Sequence, residues 1–524
     1  MDPNNAPNNN AKADVDSRNN TNANNHSNFS SNLTVFTITR MGNPEKANIE
    51  KSFLKKAEAS VRFSPLVRQV LASSGPIVLT ISSGMTSGYS AILLPQLEHE
   101  NSTISINTDQ ASWIASMAAL PMALGCILSG ILLEKFGRRM AQIITAVPFI
   151  IGWALIGMAT NIEMILIGRF ITGLCVGLTG PASSVYIGET SDPKYRGFLL
   201  AAVSLAIAIG LFIAHLLGTF MAWQTVAYIS VLMPLACIGL LVFVPESPTW
   251  LANKGYLKKA EDAFFWCRGH SLEAVEELSA LMQKQSTIAS EKVSWSRYKS
   301  PAFWKPLLII NLFFITTQFS GVNAVAFYSV SIMQDTVGEG MDKYVAMMII
   351  DTIRLVMSVV ACILTKKYGR RPLTNISSVG TAVSLVGLSS FLYVSKMYPA
   401  IANFSAIPLG ALIGYIVFVT VGLVPLPWAM TGEVFPQSLR GVGSGISTSI
   451  NFLAFFIVVK TSPSMTTYMQ PYGAFLTYGC AALIGGVVLY LFLPETKGKT
   501  LQQIEDHFKG EGKKMQDDNK AGVV

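Results

Sequence analysis

Gly137-Arg138-Arg139 stands directly after one apolar stretch of the chain, and Gly369-Arg370-Arg371 stands directly after another. The signals around these two triplets return in the same order in both halves of the sequence. They are Glu189 with Arg196-Gly197, echoed by Glu433 with Arg440-Gly441, and Pro245-Glu246-Ser247, echoed by Pro494-Glu495-Thr496. Such a repeat predicts two homologous halves within one polypeptide.

The composition is that of an integral membrane protein. Only 13% of the 524 residues are charged and 51% are hydrophobic, whereas a soluble domain carries about 25% charged residues. The net charge of +8 is concentrated between apolar segments, where Lys and Arg orient membrane spans. We therefore expect the lipid bilayer as a partner and no nucleic acid.

Twelve apolar stretches are each long enough to cross a bilayer, which takes about 20 helical residues. Together with the repeat, they predict an all-α membrane fold of two pseudo-symmetric six-helix halves with a substrate path between them. The predicted spans are 70–94, 111–133, 140–159, 163–186, 198–219, 224–244, 306–330, 344–365, 374–394, 405–430, 442–462 and 472–493.

These spans divide the chain into five predicted regions. Residues 1–65 are Asn-rich and too poor in apolar groups to bury a core, which predicts a disordered tail. The two halves are expected at 66–250 and 304–494, with a linker of short helices at 251–303 and a second tail at 495–524.

The basic residues predict which side of the membrane is cytoplasmic. Most of them fall on one side of the spans, against only Lys343, Lys396 and Lys460 on the other. The basic side and both termini are therefore expected in the cytoplasm. Asn101 and Asn403 are then the glycosylation sequons that lie outside, and Asn101 is the better acceptor because its loop is longer and carries no Lys or Arg.

Between residues 65 and 510 the chain resembles the sugar porter family of the major facilitator superfamily, and within it the facilitated trehalose and glucose transporters of insects. The resemblance implies movement of a sugar across the plasma membrane by alternating access, without covalent chemistry. It rests on seven stretches in order: Gly130-Ile-Leu-Leu-Glu134-Lys-Phe-Gly137-Arg-Arg139, Gly168-Arg-Phe170, Tyr186-Ile-Gly-Glu189 with Arg196-Gly197, Pro245-Glu-Ser-Pro248, Gln318-Phe-Ser-Gly-Val-Asn323, Pro425-Leu-Pro-Trp428 and Pro494-Glu-Thr-Lys-Gly498.

The resemblance gives the arginine-rich segments a second role besides orienting the spans, namely a set of ion pairs that closes the cytoplasmic side. Lys366 stands where the second half would need an acid matching Glu134 of the first, so we expect the second set to be weaker or differently connected. The expected pairs join Arg138 or Arg139 and Arg196 with Glu189 or Glu134, and Arg370 or Arg371 and Arg440 with Glu433.

A sugar is uncharged and covered in hydroxyls, so its site needs neutral side chains that donate and accept hydrogen bonds, beside an aromatic face. By resemblance, Gln318 and Asn323 on the seventh helix and Asn451 on the eleventh would bind sugar hydroxyls, and Trp428 on the tenth would line the floor of the cavity. The alternative is that these polar groups serve helix packing.

Other positions bear on the gate and on substrate size. Phe327 and Tyr328 resemble the family's extracellular gate, although an aromatic pair can also simply pack. Ser204, Thr317 and Thr420 stand where the glucose carriers usually have glutamine or glutamate. A roomier cavity could admit a disaccharide, but the same changes could signal another polyol or lost transport.

Arg354 and His215 are unusual inside spans. An arginine there is costly and needs a partner, and Asp351 lies three residues earlier on the same helical face. A structural ion pair is the first interpretation of Arg354, and contact with sugar oxygens is the second. His215 is interpreted as a packing histidine.

The sequence favours passive transport. It contains no G-x-x-x-x-G-K-[ST] phosphate loop, so ATP drive has no support. Proton-coupled members of the family carry an aspartate after a Gly-Tyr pair on the first helix, whereas Gly88-Tyr89 is followed by Ser90, and a hydroxyl does not load protons near neutral pH. A proton-coupled symporter and a non-transporting sugar receptor remain the alternatives. Nothing suggests an enzyme, a cofactor or a metal site, and the oligomeric state stays open.

Overall fold

The computed structural model describes residues 64–99, 102, 104–288, 299–337, 342–398, 404, 406–436, 439–497, 503–504 and 507–508. The predicted N-terminal tail and both sequons, Asn101 and Asn403, lie outside these residues. The chain divides into a smaller unit, Met1–Gln69 with Ser247–Lys292, and a larger one, Val70–Glu246 with Val293–Val524.

All regular structure in the described residues is helical. The first half contains α1 Pro65–Leu97, α2 Thr108–Ser116, α3 Leu120–Phe136, α4 Arg138–Gly157, α5 Ile162–Thr190, α6 Pro193–Phe220, α7 Trp223–Ser230 and α8 Leu232–Val242. The middle of the chain contains α9 Pro248–Asn253, α10 Leu257–Arg268 and α11 Leu272–Ile288. The second half contains α12 Pro301–Phe319, α13 Val322–Phe327, α14 Ser329–Val337, α15 Lys343–Lys367, α16 Arg370–Met397, α17 Ala406–Val421, α18 Pro425–Thr431 and α19 Arg440–Phe492.

The described helices supply the predicted twelve spans. Eleven helical stretches are long and apolar enough to cross a membrane. The last, α19, has 53 residues, which at about 1.5 Å per residue is more than twice the thickness of a bilayer core. It bends at Gln470, whose φ of 61° and ψ of 164° are not helical, just before Pro471. This helix therefore provides the eleventh and twelfth spans.

In the smaller unit, the short helices α9 to α11 pack on one another and on the first turn of α1. The Arg68 guanidinium donates to the carbonyl oxygen of Phe265 at 3.3 Å, and the Gln69 amide donates to that of Cys267 at 3.1 Å. This polar contact fixes the start of the first span to the segment between the halves.

Two spans of the second half are interrupted. The seventh span, made of α12 to α14, breaks at Gly321, whose φ is +82°. The tenth breaks between α17 and α18, where the Ser377 hydroxyl accepts from the Leu423 amide at 2.9 Å and donates to the Phe418 carbonyl at 2.6 Å. Side chains thus satisfy backbone groups that a membrane cannot. The unbroken apolar runs 306–330 and 405–430 gave no warning of either interruption.

We call the end of the larger unit at which Gly137-Arg138-Arg139 and Gly369-Arg370-Arg371 lie the arginine end, and the other the far end. The helices α6 and α19 begin at the arginine end, near Glu189 and Glu433, whereas α2 and α15 begin at the far end.

Candidate functional site

Three amide side chains form a hydrogen-bonded chain in the second half. The Asn323 amide donates to the Gln318 oxygen at 2.6 Å, and the Gln318 amide donates to the Asn451 oxygen at 2.7 Å. Gln318 and Asn451 are buried. Side chains five residues apart do not face each other on a regular helix, so the turn at Gly321 is what brings Asn323 back to Gln318. Each amide can make about four hydrogen bonds, which leaves capacity for a ligand rich in hydroxyls.

Five aromatic rings of the second half form a connected set. The Trp428 ring, 43% exposed, packs edge-on against Phe314 with centroids 5.1 Å apart and lies 6.2 Å from Phe452. Phe455 connects Phe452 to Phe327, at 6.3 and 5.2 Å. The partly exposed indole offers the aromatic surface that the sequence predicted, whereas Phe327 is completely buried and packs within the second half.

Tyr328 lies at the far end. Its hydroxyl donates to the carbonyl oxygen of Val459 at 3.1 Å. Its ring lines a cavity together with Ser331, Ser462 and Tyr478. Tyr328 thus lines this cavity, whereas Phe327 is buried; the gate stays a prediction.

The small residues Thr317, Thr420 and Ser204 have different surroundings. Thr317 is buried, and its hydroxyl lies 2.7 Å from the carbonyl oxygen of Leu423, so it supports the break in the tenth span. Thr420 is also buried, in α17, whereas Ser204 is exposed on α6. The structure assigns Thr317 a backbone contact and does not join it to the amide chain.

Ion pairs at the arginine end repeat in the two halves. Arg138 holds Glu189 through two contacts of 2.9 Å, from Nη2 to Oε1 and from Nε to Oε2. Arg370 holds Glu433 in the same way, at 2.6 Å from Nη2 and 3.3 Å from Nε. Two-point pairs of this kind fix direction as well as distance. In the second pair, the Thr496 hydroxyl also donates to Glu433 at 2.6 Å. The expectation that the second set is weaker or differently connected stays a prediction.

The other residues expected in these pairs lie differently. Arg139 donates to the carbonyl oxygen of Leu241 at 2.7 Å, and Arg371 to that of Tyr490 at 2.8 Å. Arg196 donates to the carbonyl oxygen of Ser191 at 3.3 Å, and Glu134 is exposed on α3. The side chain of Arg440 lies outside the described residues. Among the described residues, Arg138 thus pairs with Glu189 and Arg370 pairs with Glu433.

Two further carboxylates, which the sequence analysis did not assign, cap the same turns. Glu246 accepts from the backbone amides of Arg138 at 2.8 Å and Arg139 at 2.9 Å. Glu495 accepts from those of Arg370 at 2.9 Å and Arg371 at 3.1 Å. The first amides of a helix have no partner within it and attract negative charge. The available signal was the repeated Pro-Glu pair, which the sequence analysis used only as evidence of duplication.

The glycine before each arginine pair leaves room for this carboxylate. Gly137 has a φ of +95°, and a Cβ there would lie 2.6 Å from Glu246 Oε2. Gly369 has an ordinary φ of −70°, but a Cβ would collide with Glu495. A Cβ at either position would displace the capping carboxylate, and the backbone conformation of Gly137 also favours glycine.

The capping carboxylate gives a prediction about acid stability. Partial burial would raise the pKa of Glu495, but hydrogen bonds from the backbone of Arg370, Lys497 and Arg371, with the Arg370 charge, hold it below its ordinary value of 4.5. A lowered pKa contributes stability that is present above pH 4.5 and is lost as the pH falls through the folded value. Glu495→Gln should therefore lower the melting temperature at pH 6 and differ less from the natural chain at pH 3.5.

The measurement is thermal unfolding of the purified protein in detergent across this pH range. Glu163→Gln, on an exposed first-turn glutamate of α5, is the matched control and should show no such convergence. A Glu495→Gln difference that stays constant with pH would contradict the cap.

A completely buried arginine on α5, Arg169, was quoted as part of a motif but given no role. It donates to the carbonyl oxygens of Thr86 at 2.9 Å and Ile114 at 3.3 Å, and to the hydroxyl of Ser90. These acceptors, and the carbonyl oxygen of Ala115 at 3.5 Å, are neutral. The signal for it was an arginine inside an apolar span, which is costly unless it has partners.

His215 is completely buried, as a satisfied packing histidine would be, and it has a polar partner that the sequence analysis did not name. Its Nδ1 is hydrogen-bonded to Asp351 Oδ2, while Arg354 Nη1 lies 3.4 Å from Asp351 Oδ1. Arg354 is therefore in the ion pair that was its first interpretation. The sequence analysis did not identify the partner of His215 because that residue is on α15, in the other half.

Similar proteins agree with this architecture. The profile of the family described as "Sugar (and other) transporter" matches residues 69–508. The facilitated trehalose transporter Tret1 of Apis mellifera ligustica is 32% identical over 86% of this chain and 90% of its own length. A facilitated trehalose transporter Tret1-2 homolog of Drosophila sechellia is 33% identical over 84% of this chain and 91% of its own.

The solved inward-open structure of the xylose transporter XylE from E. coli shares the fold. It superposes with a TM-score of 0.68 at 23% identity, over 84% of this chain and 99% of that one. The matching profile, the insect relatives and the two six-span halves lead to one conclusion. This chain belongs to the family described as "Sugar (and other) transporter".

Proposed function

We propose that the protein is a facilitative transporter, a uniporter, that moves trehalose or glucose across the plasma membrane by alternating access. The observation that carries the proposal is the chain of three neutral amides, Asn323 to Gln318 to Asn451, at the break of the seventh span. Such groups recognise hydroxyls without requiring charge. Relatives at 32 to 33% identity are named as trehalose transporters, which favours this disaccharide. Trp428 would lie under the sugar ring, and no covalent chemistry is involved.

The surroundings of Ser90 favour passive transport over proton coupling. Ser90 accepts a hydrogen bond from the buried Arg169, whose other acceptors in the described residues are backbone carbonyls. A carboxylate at position 90 could bind and release a proton beside the charged arginine. The serine hydroxyl stays neutral near pH 7. This site therefore has no proton to carry.

The orientation is also part of the proposal. The arginine end would face the cytoplasm, with both termini on that side, because it carries most of the basic residues between the spans. Asn101 would then be the first candidate for glycosylation. The predicted boundaries of the halves, at 66–250 and 304–494, and of the linker and tails keep their place in this proposal.

The test is uptake of labelled trehalose, glucose and sorbitol by the purified protein in proteoliposomes, with and without a proton gradient. We expect saturable trehalose or glucose flux that stops at equal concentrations and does not respond to the gradient. Accumulation driven by the gradient would instead establish a symporter. Binding without flux would favour a sugar receptor.

Ser90→Asp provides a matched variant for the coupling argument. It places a carboxylate beside Arg169, so we expect flux that depends on pH, while Ser90→Ala stays independent of pH. Equal pH profiles in the two variants would remove Ser90 as the explanation of passive transport.

A further inference from the structure

Polar links join the two halves at the far end, along both seams where the halves meet. On one seam, His215 of α6 is hydrogen-bonded to Asp351 of α15. On the other, the Lys460 ammonium lies 3.2 Å from Asp109 and 2.7 Å from the Ser112 hydroxyl. His215 is five residues from the end of α6, and Asp351 is eight from the start of α15, so this link lies roughly 8 to 12 Å inside the far end of those helices.

The two links differ in their exposure to water. The side chains of His215 and Asp351 are 0% and 1% exposed, whereas Asp109 is 79% exposed. Exposed ion pairs contribute little because solvent and salt screen them. A hydrogen bond to a charged group in a dry site is stronger. The link between His215 and Asp351 is therefore the one that solvent and salt weaken least.

The histidine is not required to neutralise Asp351. Arg354, three residues along the same helix, already lies 3.4 Å from Asp351 Oδ1 and balances its charge within the second half. His215 takes the other carboxylate oxygen, Oδ2, from the first half. The two oxygens of Asp351 thus have different partners: one forms an ion pair within its own helix, and the other is hydrogen-bonded across the seam.

The imidazole ring is held in place by close packing from α1. A Cβ added to Gly88 would lie 3.2 Å from His215 Cδ2 and 3.2 Å from Ala214 Cβ. The glycine lets the backbone of α1 lie against the ring. Because the ring is confined on this side, its Nδ1 stays directed at Asp351.

We propose that the hydrogen bond from His215 to Asp351 holds the far end of the sugar path closed and must break each time the halves separate there. His215 is then a positioning residue that sets the balance between the states open at either end. This inference rests on the proposed alternating access, since only a protein whose halves separate has to break the link. No sugar contact is assigned to the pair.

Two substitutions of His215 separate this role from simple packing. Leucine has a comparable size but no donor. Asparagine is smaller, yet its amide nitrogen is attached at Cγ, as Nδ1 is in histidine, so it can still donate to Asp351. If the hydrogen bond holds the far end closed, His215→Leu should weaken closure and His215→Asn should keep it. If His215 only packs, the smaller asparagine should weaken closure more than leucine does.

The main readout is the accessibility of the far end, which does not depend on sugar flux. Ala111 on α2 is buried at the cavity of the far end. In full-length protein with its six native cysteines replaced by alanine, Ala111→Cys can be labelled from that side with a membrane-impermeant maleimide. His215→Leu should raise the labelling rate about tenfold, as expected when a two-state equilibrium loses one hydrogen bond to a charged group. His215→Asn should stay within about twofold of the parent.

Thr352→Val on α15 is the control. Thr352 is exposed and donates only within its own helix, to Met348, so its labelling rate should not change. If His215→Leu does not fold, Asp351→Leu combined with Arg354→Gln removes the charge pair together and leaves His215 without its acceptor, so it carries the same expectation. Unchanged labelling in a folded His215→Leu or in this double variant, or equal rates in the leucine and asparagine variants, would overturn the proposal. Absence of trehalose flux with the labelling pattern intact would instead count against the proposed function alone.

Discussion

Gln318→Ala is expected to reduce saturable sugar flux at least tenfold while the amount of protein in the membrane stays normal. Gln318 is the middle member of the amide chain, accepting from Asn323 and donating to Asn451. Alanine removes both contacts and leaves two amides without their partner in a buried site, which costs about 1 to 3 kcal/mol for each group. The measurement is initial uptake of labelled trehalose and glucose into proteoliposomes, normalised to the reconstituted protein.

Asn323→Ala should act in the same direction but less strongly, because Asn323 is joined to the chain at one point only. Gln334→Ala is the matched control, since that amide is exposed on α14 and accepts from Lys343 at 3.0 Å. We expect normal flux in this variant. Unchanged flux in both Gln318→Ala and Asn323→Ala would show that the sugar is bound elsewhere.

Gly321→Ala is expected to abolish flux and to lower the melting temperature of the protein in detergent. Gly321 has a φ of +82°, a left-handed conformation that costs other residues roughly 1 kcal/mol. An added Cβ would also lie 2.7 Å from the Tyr478 ring. Because the break at Gly321 places Asn323 against Gln318, relief of the strain by straightening the helix would also separate the two amides.

The two causes can be separated with a second substitution. Gly321→Ala with Tyr478→Ala removes the collision but keeps the backbone strain, so stability should recover only in part relative to Tyr478→Ala alone. Gly387→Ala is the control, since Gly387 lies in α16 with open space around its Cβ position, and alanine there favours the helix. A Gly321→Ala protein with normal flux and melting temperature would mean that the seventh span does not need its break.

The sequence predicted the spans better than the features within them. Apolar length and the repeat were enough to place the spans and to divide them between two halves, because bilayer thickness acts on each segment separately. The break at Gly321 was hidden within a continuous apolar run. The partner of His215 was not identified because that residue, Asp351, is 136 positions away. Hydropathy indicates whether a segment lies in the membrane. The break at Gly321 and the partner of His215 depend instead on contacts between segments.

The candidate site was predicted unevenly for a similar reason. Gln318, Asn323 and Asn451 were chosen from their chemistry and from resemblance, and the structure joins all three. Thr317 was chosen for its size, but its hydroxyl lies against the Leu423 carbonyl. A residue's type indicates what it can bind, and only its neighbours decide whether that capacity is already used.

The carboxylates of Glu246 and Glu495 have a mechanical consequence. Each follows the sixth span of its half and returns to the turn between the second and third spans, at Arg138 and Arg370. In each half, hydrogen bonds thereby join the segment after the sixth span to the turn between the second and third spans. Sliding of a single helix would have to break these hydrogen bonds, whereas rocking one whole half against the other leaves them intact. These hydrogen bonds therefore favour motion of each half as a unit when the two halves rock against each other.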